Sequence, residues 1–154
     1  MSFARPPDQQ NPDPFWLGWY LFSDEGRIGR YGFWLFCLSA LGFAILILLF
    51  AGLRQMIVAH TIFGIAMIYP CYCVFAKRLQ DMDLPGTLAI LMVAVTAVDL
   101  VFGLVGMRTR PGWQAKLAYV WMFISNFNLL IVVGMLGFKQ GTPGANQYGF
   151  EPNI

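Results

Sequence analysis

Four long apolar runs dominate the pattern of hydrophobic and polar positions along the chain. They cover about residues 32–53, 56–76, 85–107 and 117–138. Each run meets the roughly 20 residues that an α-helix needs to cross a hydrocarbon core about 30 Å thick. The pattern therefore predicts an all-α membrane protein whose four transmembrane helices form two hairpins.

The segments outside the runs differ from them in composition. Residues 1–14 form a polar tail and residues 139–154 a Gly/Pro-rich tail, which leaves 15–138 as the transmembrane domain. Residues 15–31 begin with an aromatic stretch too short to cross a membrane. We expect a short helix there, which either lies in the headgroup layer or packs against the end of the bundle. Five aromatic residues suit the interface as anchors: Trp16, Trp19, Tyr20, Trp34 and Trp113.

An even number of spans places both termini on the same side of the membrane. The loop between the second and third runs lies on that side as well, and the side then holds six of the ten Lys and Arg residues. The positive-inside rule therefore favours cytoplasmic termini by a small margin.

Composition agrees with a membrane protein and argues against several functions. The chain is 58% hydrophobic and 12% charged, with a mean hydropathy of +0.60, whereas soluble domains carry about 25% charge. A net charge of +2 supplies no basic stripe for nucleic acid. The three cysteines lie in apolar runs without a C-x-x-C pair, and there is one His. We therefore expect no metal site, no cofactor and no enzymatic activity.

The densest group of charges is "AKRLQDMDLPG", residues 76–86, between two apolar runs. Arg78 and Asp81 are three residues apart, so they can form an ion pair on one helix face. Asp83 is expected to cap the third span and Lys77 to extend toward the headgroups. On this interpretation the segment is a structural latch that ends one helix and starts the next.

The alternative interpretation makes the same charges part of a binding face for an anionic lipid or an acidic partner segment. The C-terminal tail can fold onto that face, because its glycines and prolines favour turns and its Asn and Tyr offer hydrogen bonds. The predicted face comprises Arg27, Arg30, Lys77, Arg78, Asp81, Asn146 and Tyr148.

A second polar group lies inside the apolar runs. Asp99 is about 14 residues into the third run, a depth at which a carboxylate normally faces protein or a cavity. Helical rise places Asn126 at a similar depth and His60 nearer the surface, with Asn128 close by. The cluster serves either as a hydrogen-bonded contact between helices or as the proton or cation site of a small oligomeric transporter or channel.

Three motifs occur in a fixed order: "GRIGRYGFW", "AKRLQDMDLPG" and "GTPGANQYGFEP". This ordered set resembles the bacterial inner-membrane family catalogued as domain of unknown function 805, over about residues 15–152. The resemblance implies a small four-helix protein of the inner membrane, with no general activity attached to the family. The chain departs from the family at Gln80, where a His is common, at Pro85, Gly86 and Thr87, where Ser-Gly-Trp is common, and at Gly32, where an acidic residue is common. The matching positions are Gly26, Arg27, Arg30, Trp34, Arg78, Leu79, Asp81, Gly141, Thr142, Gly144, Asn146, Tyr148, Gly149 and Pro152.

These observations predict a non-catalytic accessory or structural subunit. It would dock onto a larger membrane protein complex, or onto further copies of itself, and contact anionic lipid through its aromatic surface and one polar face. The alternative is the transporter or channel built around Asp99.

Overall fold

The computed structural model describes residues 17–50, 53–107 and 111–152. Within these ranges the regular secondary structure is helical, with no strand. The helices are α1 (Leu17–Phe22), α2 (Arg30–Phe50), α3 (Leu53–Asp81), α4 (Leu88–Leu104) and α5 (Trp113–Phe138). The all-helical prediction is confirmed, and each of the four apolar runs corresponds to one of the helices α2 to α5.

Three of these helices have segments long and apolar enough to cross a membrane: Arg30–Ile47 in α2, Thr61–Asp81 in α3 and Trp113–Phe138 in α5. The third predicted span is the shorter apolar helix α4, with 17 residues. The structure is therefore compatible with a membrane protein.

The turn between α3 and α4 differs from the expected one. Asp83 has a positive φ of 59°, its N–H donates to the Gln80 carbonyl, and the next N–H, of Leu84, donates to the Leu79 carbonyl. These two bonds are those of a Schellman motif, which closes a helix C-terminus. The expectation that Asp83 caps α4 is wrong, because Asp83 ends α3 and the N-cap of α4 is Thr87.

Helix α3 lies at the centre of the fold and packs against each of the other four helices. Its last two turns are almost fully buried, together with Phe33 and Phe36 of α2 and Val132 and Leu136 of α5. Gly137 of α5 lets Trp34 approach so closely that a Cβ there would lie 2.6 Å from the indole ring. The best-packed core is thus at the end of the molecule where α3 finishes.

The outer faces of the helices are apolar. Large side chains of α2, α4 and α5 are exposed, such as Leu38, Leu91 and Phe123, the last at 72%. Soluble monomers rarely expose contiguous apolar patches beyond a few hundred Å². Lipid or protein is therefore the expected neighbour of these faces.

Candidate functional site

A buried cluster of three charged residues lies where α3 ends. Asp81 Oδ1 accepts bonds from Arg27 Nε at 3.1 Å and Nη2 at 2.9 Å. Its Oδ2 accepts from Arg78 Nη1, the i,i+3 pair that the sequence predicts. The three residues are 3% exposed or less. We call Arg27, Arg78 and Asp81 the charge cluster.

Arg27 connects the N-terminal segment to the C-terminal tail. Besides Asp81, its guanidinium donates to the tail carbonyls of Gly144 at 2.6 Å, Gly149 at 3.2 Å and Thr142 at 2.7 Å. Buried charges are stable only when they are paired and their remaining donors are satisfied. The tail backbone supplies those acceptors. The tail carbonyls thus take the place of water as hydrogen-bond partners of the buried guanidinium.

Arg78 connects the end of α3 to the end of α5. Its Nε donates to the Leu136 carbonyl at 2.7 Å, and its Nη2 donates to the Lys139 carbonyl. Carbonyls in the last turn of a helix lack partners within the helix and carry the negative end of its dipole. A guanidinium at that point therefore caps α5 electrostatically.

The tail in turn caps α3. The Thr142 N–H and hydroxyl both donate to the Asp81 carbonyl, at 2.8 and 2.9 Å, and Asn146 Nδ2 donates to the Gln80 carbonyl at 2.8 Å. Asn146 Oδ1 also accepts the N–H of Tyr148 at 2.9 Å. The tail is thus folded onto the end of α3 and onto Arg27, which precedes α2, and Tyr148 takes part through its backbone.

Lys77 does not extend toward the headgroups. It is fully buried, and its Nζ donates to the carbonyls of Trp19 at 2.6 Å and Tyr20 at 2.7 Å. The ammonium also lies 4.3 Å from the Trp19 ring centroid, within cation–π range. Its expected orientation is wrong because α1 packs over it and offers both carbonyls and an aromatic face.

The structure therefore differs from the binding face that the sequence predicts. Arg27, Lys77, Arg78 and Asp81 are buried with their charges directed inward, whereas Arg30 is exposed. An open cavity of about 590 Å³ lies beside the cluster. Its lining is Gly29, Arg30, Tyr31, Arg78, Asp81, Gln140, Gly141, Thr142, Pro143, Glu151 and Pro152.

Among the predicted interfacial anchors that the structure describes, Trp19 is buried, Tyr20 and Trp34 are half-buried, and all three make hydrogen bonds within the protein. Trp19 is 8% exposed and donates its Nε1–H to the Glu25 carbonyl, while Trp34 donates to the Gly137 carbonyl. The Tyr20 hydroxyl donates to the Gly32 carbonyl, and burial raises the pKa of Tyr20 to about 12, so this donor stays protonated. Trp113 is 69% exposed. Trp16 lies outside the described residues.

The predicted intramembrane cluster is divided between two faces. Asn128 Nδ2 donates to the Met92 carbonyl of α4 at 3.0 Å, whereas Asn126 is exposed and donates to the Met122 carbonyl of its own helix at 2.7 Å. Asp99 is half-buried in α4. Met92 of α4 and Asn128 of α5 are opposite each other. Asp99 lies about two turns further along α4, and because the two helices run in opposite directions, it is level with Trp121 rather than with Asn126. His60 lies in α3, and its side chain is outside the described part.

Sequence reasoning missed two contacts. Gly141 is so close to the Asp81 carboxylate that a Cβ there would overlap it, and Gln80 ties α3 to the Asp24 carbonyl through Nε2 at 2.9 Å. The G-T-x-G-x-N tail motif is the only available signal for the first contact. Among the described residues, no three His, Cys, Asp or Glu side chains are grouped as a metal site would need.

Comparison with known proteins places the chain in a family. Residues 21–150 match the family described as "Protein of unknown function (DUF805)". The "Uncharacterized protein YiiR" of Escherichia coli strain K12 is 34% identical over 134 residues, which cover 84% of this chain and 86% of the relative. YiiR of Escherichia coli O157:H7 is similar to the same extent. No solved structure matches. The chain therefore belongs to the DUF805 family, as its three ordered motifs predict.

Proposed function

We propose that this protein is a non-catalytic integral protein of the bacterial inner membrane. In this proposal the helices α2 to α5 each cross the membrane, both termini face the cytoplasm, and the protein is an accessory or structural subunit of a larger membrane complex.

Helix dimensions support four crossings. At 1.5 Å per residue, the 29 residues of α3 are about 44 Å long, so its charged end extends beyond a hydrocarbon core of about 30 Å. The 17 residues of α4 give about 26 Å, a mismatch of a few Å that tilt and bilayer thinning accommodate at small cost. The apolar outer faces supply the surface that lipid would cover.

The observation that carries the accessory role is the inward direction of the charges. The charge cluster and Lys77 use their donors to hold helix ends and the tail, so they serve the fold. Among the described residues, the surfaces that remain available include the apolar helix faces and the exposed cavity-lining residues Arg30 and Glu151, which we call the polar rim. Surfaces of this kind fit contacts with other helices and with lipid.

Anionic lipid is proposed as the ligand of the polar rim. Arg30 is exposed beside the open cavity at the end of the bundle, where a basic side chain near an anionic surface contributes about 1 kcal/mol. The negatively charged Glu151 also lines the cavity, so the polar rim carries one charge of each sign. We therefore expect a single headgroup contact rather than a polybasic surface.

Affinity purification from the native membrane tests the proposed role. The protein, tagged after Ile154, is extracted in mild detergent and the co-purifying chains are identified by mass spectrometry. A larger membrane complex in stoichiometric amount supports the accessory role. A chain that purifies without other proteins contradicts it.

Transport is the second candidate, because α4 holds the half-buried carboxylate of Asp99 within an apolar helix. Replacing Asp99 with Asn removes a titrating group and keeps the shape. If the protein is a transporter, Asp99→Asn abolishes solute or proton flux in vesicles. If it is an accessory subunit, the variant retains the co-purifying chains.

A further inference from the structure

Helix α5 has one polar side chain in the middle of its outer face. Asn126 is exposed, and around it on that face lie Phe123 and Leu130, each 72% exposed, and Phe127 at 57%. Asn126 is 13 residues after Trp113 and 12 before Phe138, so it lies about 20 and 18 Å from the two ends. If α5 spans the membrane, its carboxamide is near the mid-plane.

The carboxamide is only partly satisfied. One N–H of Asn126 donates to the Met122 carbonyl at 2.7 Å. The other N–H and Oδ1 make no further hydrogen bond with the described part of the chain. In hydrocarbon no water replaces the missing partners, and each unpaired polar group costs free energy.

The other face of α5 shows how this helix uses its polar groups. Asn128 donates to the Met92 carbonyl, and Trp121 donates its Nε1–H to the Val95 carbonyl at 3.2 Å. Both acceptors belong to α4, so the polar side chains on that side hold a neighbouring helix. Asn126 has the same chemistry on a face with no neighbour within the described ranges.

We propose that this outer face of α5 binds the same face of a second copy of the chain, with the two Asn126 carboxamides hydrogen-bonded to each other. Copies inserted in one membrane share one orientation, so a two-fold axis normal to the membrane brings identical residues together at equal depth. A carboxamide is both donor and acceptor and therefore complements itself. Interhelical contacts of this kind stabilise membrane dimers.

The surroundings of Asn126 allow close approach. A Cβ added at Gly134, two turns along α5, would meet no atom within 4 Å, so the backbone is open to a neighbour there. Small residues at such points let helices pack closely. Phe123, Phe127 and Leu130 then supply the apolar contact on either side of the carboxamide pair.

Energy transfer between labelled copies in lipid vesicles tests the inference, which rests on the membrane location proposed above. The purified full-length protein is labelled at a C-terminal tag and diluted by adding lipid. Wild type is expected to associate reversibly. The variant Asn126→Leu is expected to associate about 3- to 30-fold more weakly than wild type, the effect that corresponds to measured energies of interhelical hydrogen bonds. Asn126→Gln keeps a carboxamide and should associate more strongly than Asn126→Leu.

Ser39→Ala is the matched control. Ser39 is an exposed polar residue of α2 whose hydroxyl donates to the Leu35 carbonyl of its own turn. The control should leave association unchanged. Equal association of wild type and Asn126→Leu overturns the inference, as does a wild type that is monomeric at every lipid ratio.

Two further outcomes separate this inference from the proposed function. Release of wild type from native membranes by alkaline carbonate would contradict the membrane location itself. In the other outcome the wild type stays in the membrane as a monomer, and Asn126→Leu loses a different co-purifying chain. This result would overturn only the self-association.

Discussion

At the scale of single residues, Asp81 is the only carboxylate within the described ranges that the two buried guanidinium groups contact. Removing its charge leaves Arg27 and Arg78 buried without a counter-ion, which typically costs about 3–5 kcal/mol. We expect Asp81→Asn to lower the free energy of unfolding by that amount, measured by denaturant titration in a mild detergent.

Asp83→Asn is the control for this change. Asp83 is exposed, two residues away, and its left-handed backbone suits Asn equally well. The control should stay within about 0.5 kcal/mol of wild type. Equal effects of the two substitutions would show that the charge cluster does not stabilise the fold.

Lys77 gives a second prediction at this scale. Lys77→Met keeps the apolar stem and removes the ammonium that binds the Trp19 and Tyr20 carbonyls. Hydrogen exchange should become faster in residues 17–25, because α1 loses its anchor to α3. Lys116→Met, at an exposed position, is the control. Unchanged exchange in both variants would contradict the anchoring role.

Single residues were predictable from sequence where the interaction is local. The Arg78–Asp81 pair follows from helix spacing, since the residues are three apart. The direction of Lys77 was not predictable, because a lysine at a helix end can extend to water or bind carbonyls. Only the packing of α1, 57 residues away in sequence, decides between the two.

At the scale of elements, the tail holds the ends of α3 and α5 through close backbone contact. Gly141→Ala places a methyl group on the Asp81 carboxylate. The tail must move away, so we expect faster proteolysis after residue 139 and a stability loss of about 1–3 kcal/mol. Limited proteolysis and thermal unfolding in detergent measure both effects.

Gly42→Ala is the comparison for this prediction, because a Cβ at Gly42 meets no atom within 4 Å. It should not increase proteolysis of the tail. A tail as resistant in Gly141→Ala as in wild type would contradict the close contact.

The helices themselves were largely predictable, because an apolar run of about 20 residues has few other solutions. The residues at which the helices end were less predictable. Helix α3 continues to Asp81, five residues beyond the predicted span, because Arg27 pairs with Asp81 and the tail donates hydrogen bonds to the last carbonyls of α3. These contacts come from Arg27, Thr142 and Asn146. No local sequence pattern connects these residues to α3.

At the scale of the whole molecule, the proposed four crossings fix which segments share a side. Arg27 contacts the tail carbonyl of Gly144, so the segment before α2 and the segment after α5 meet at one end of the bundle. Reporter fusions at the N- and C-termini should therefore give the same side, and a fusion at Gly112, before α5, the opposite side. Opposite results for the two termini would contradict an even number of crossings.

The charge cluster also has a consequence for biosynthesis. The backbone acceptors of Arg27 come from residues 142–149, which are translated at least 115 residues after Arg27 itself. Until these residues emerge from the ribosome, the Arg27 guanidinium has Asp81 but none of its tail carbonyls, whereas the backbone acceptors of Arg78, at Leu136 and Lys139, precede them. We therefore expect a chain that stops before residue 142 to leave the Arg27 guanidinium with unpaired donors and to be degraded faster by membrane proteases.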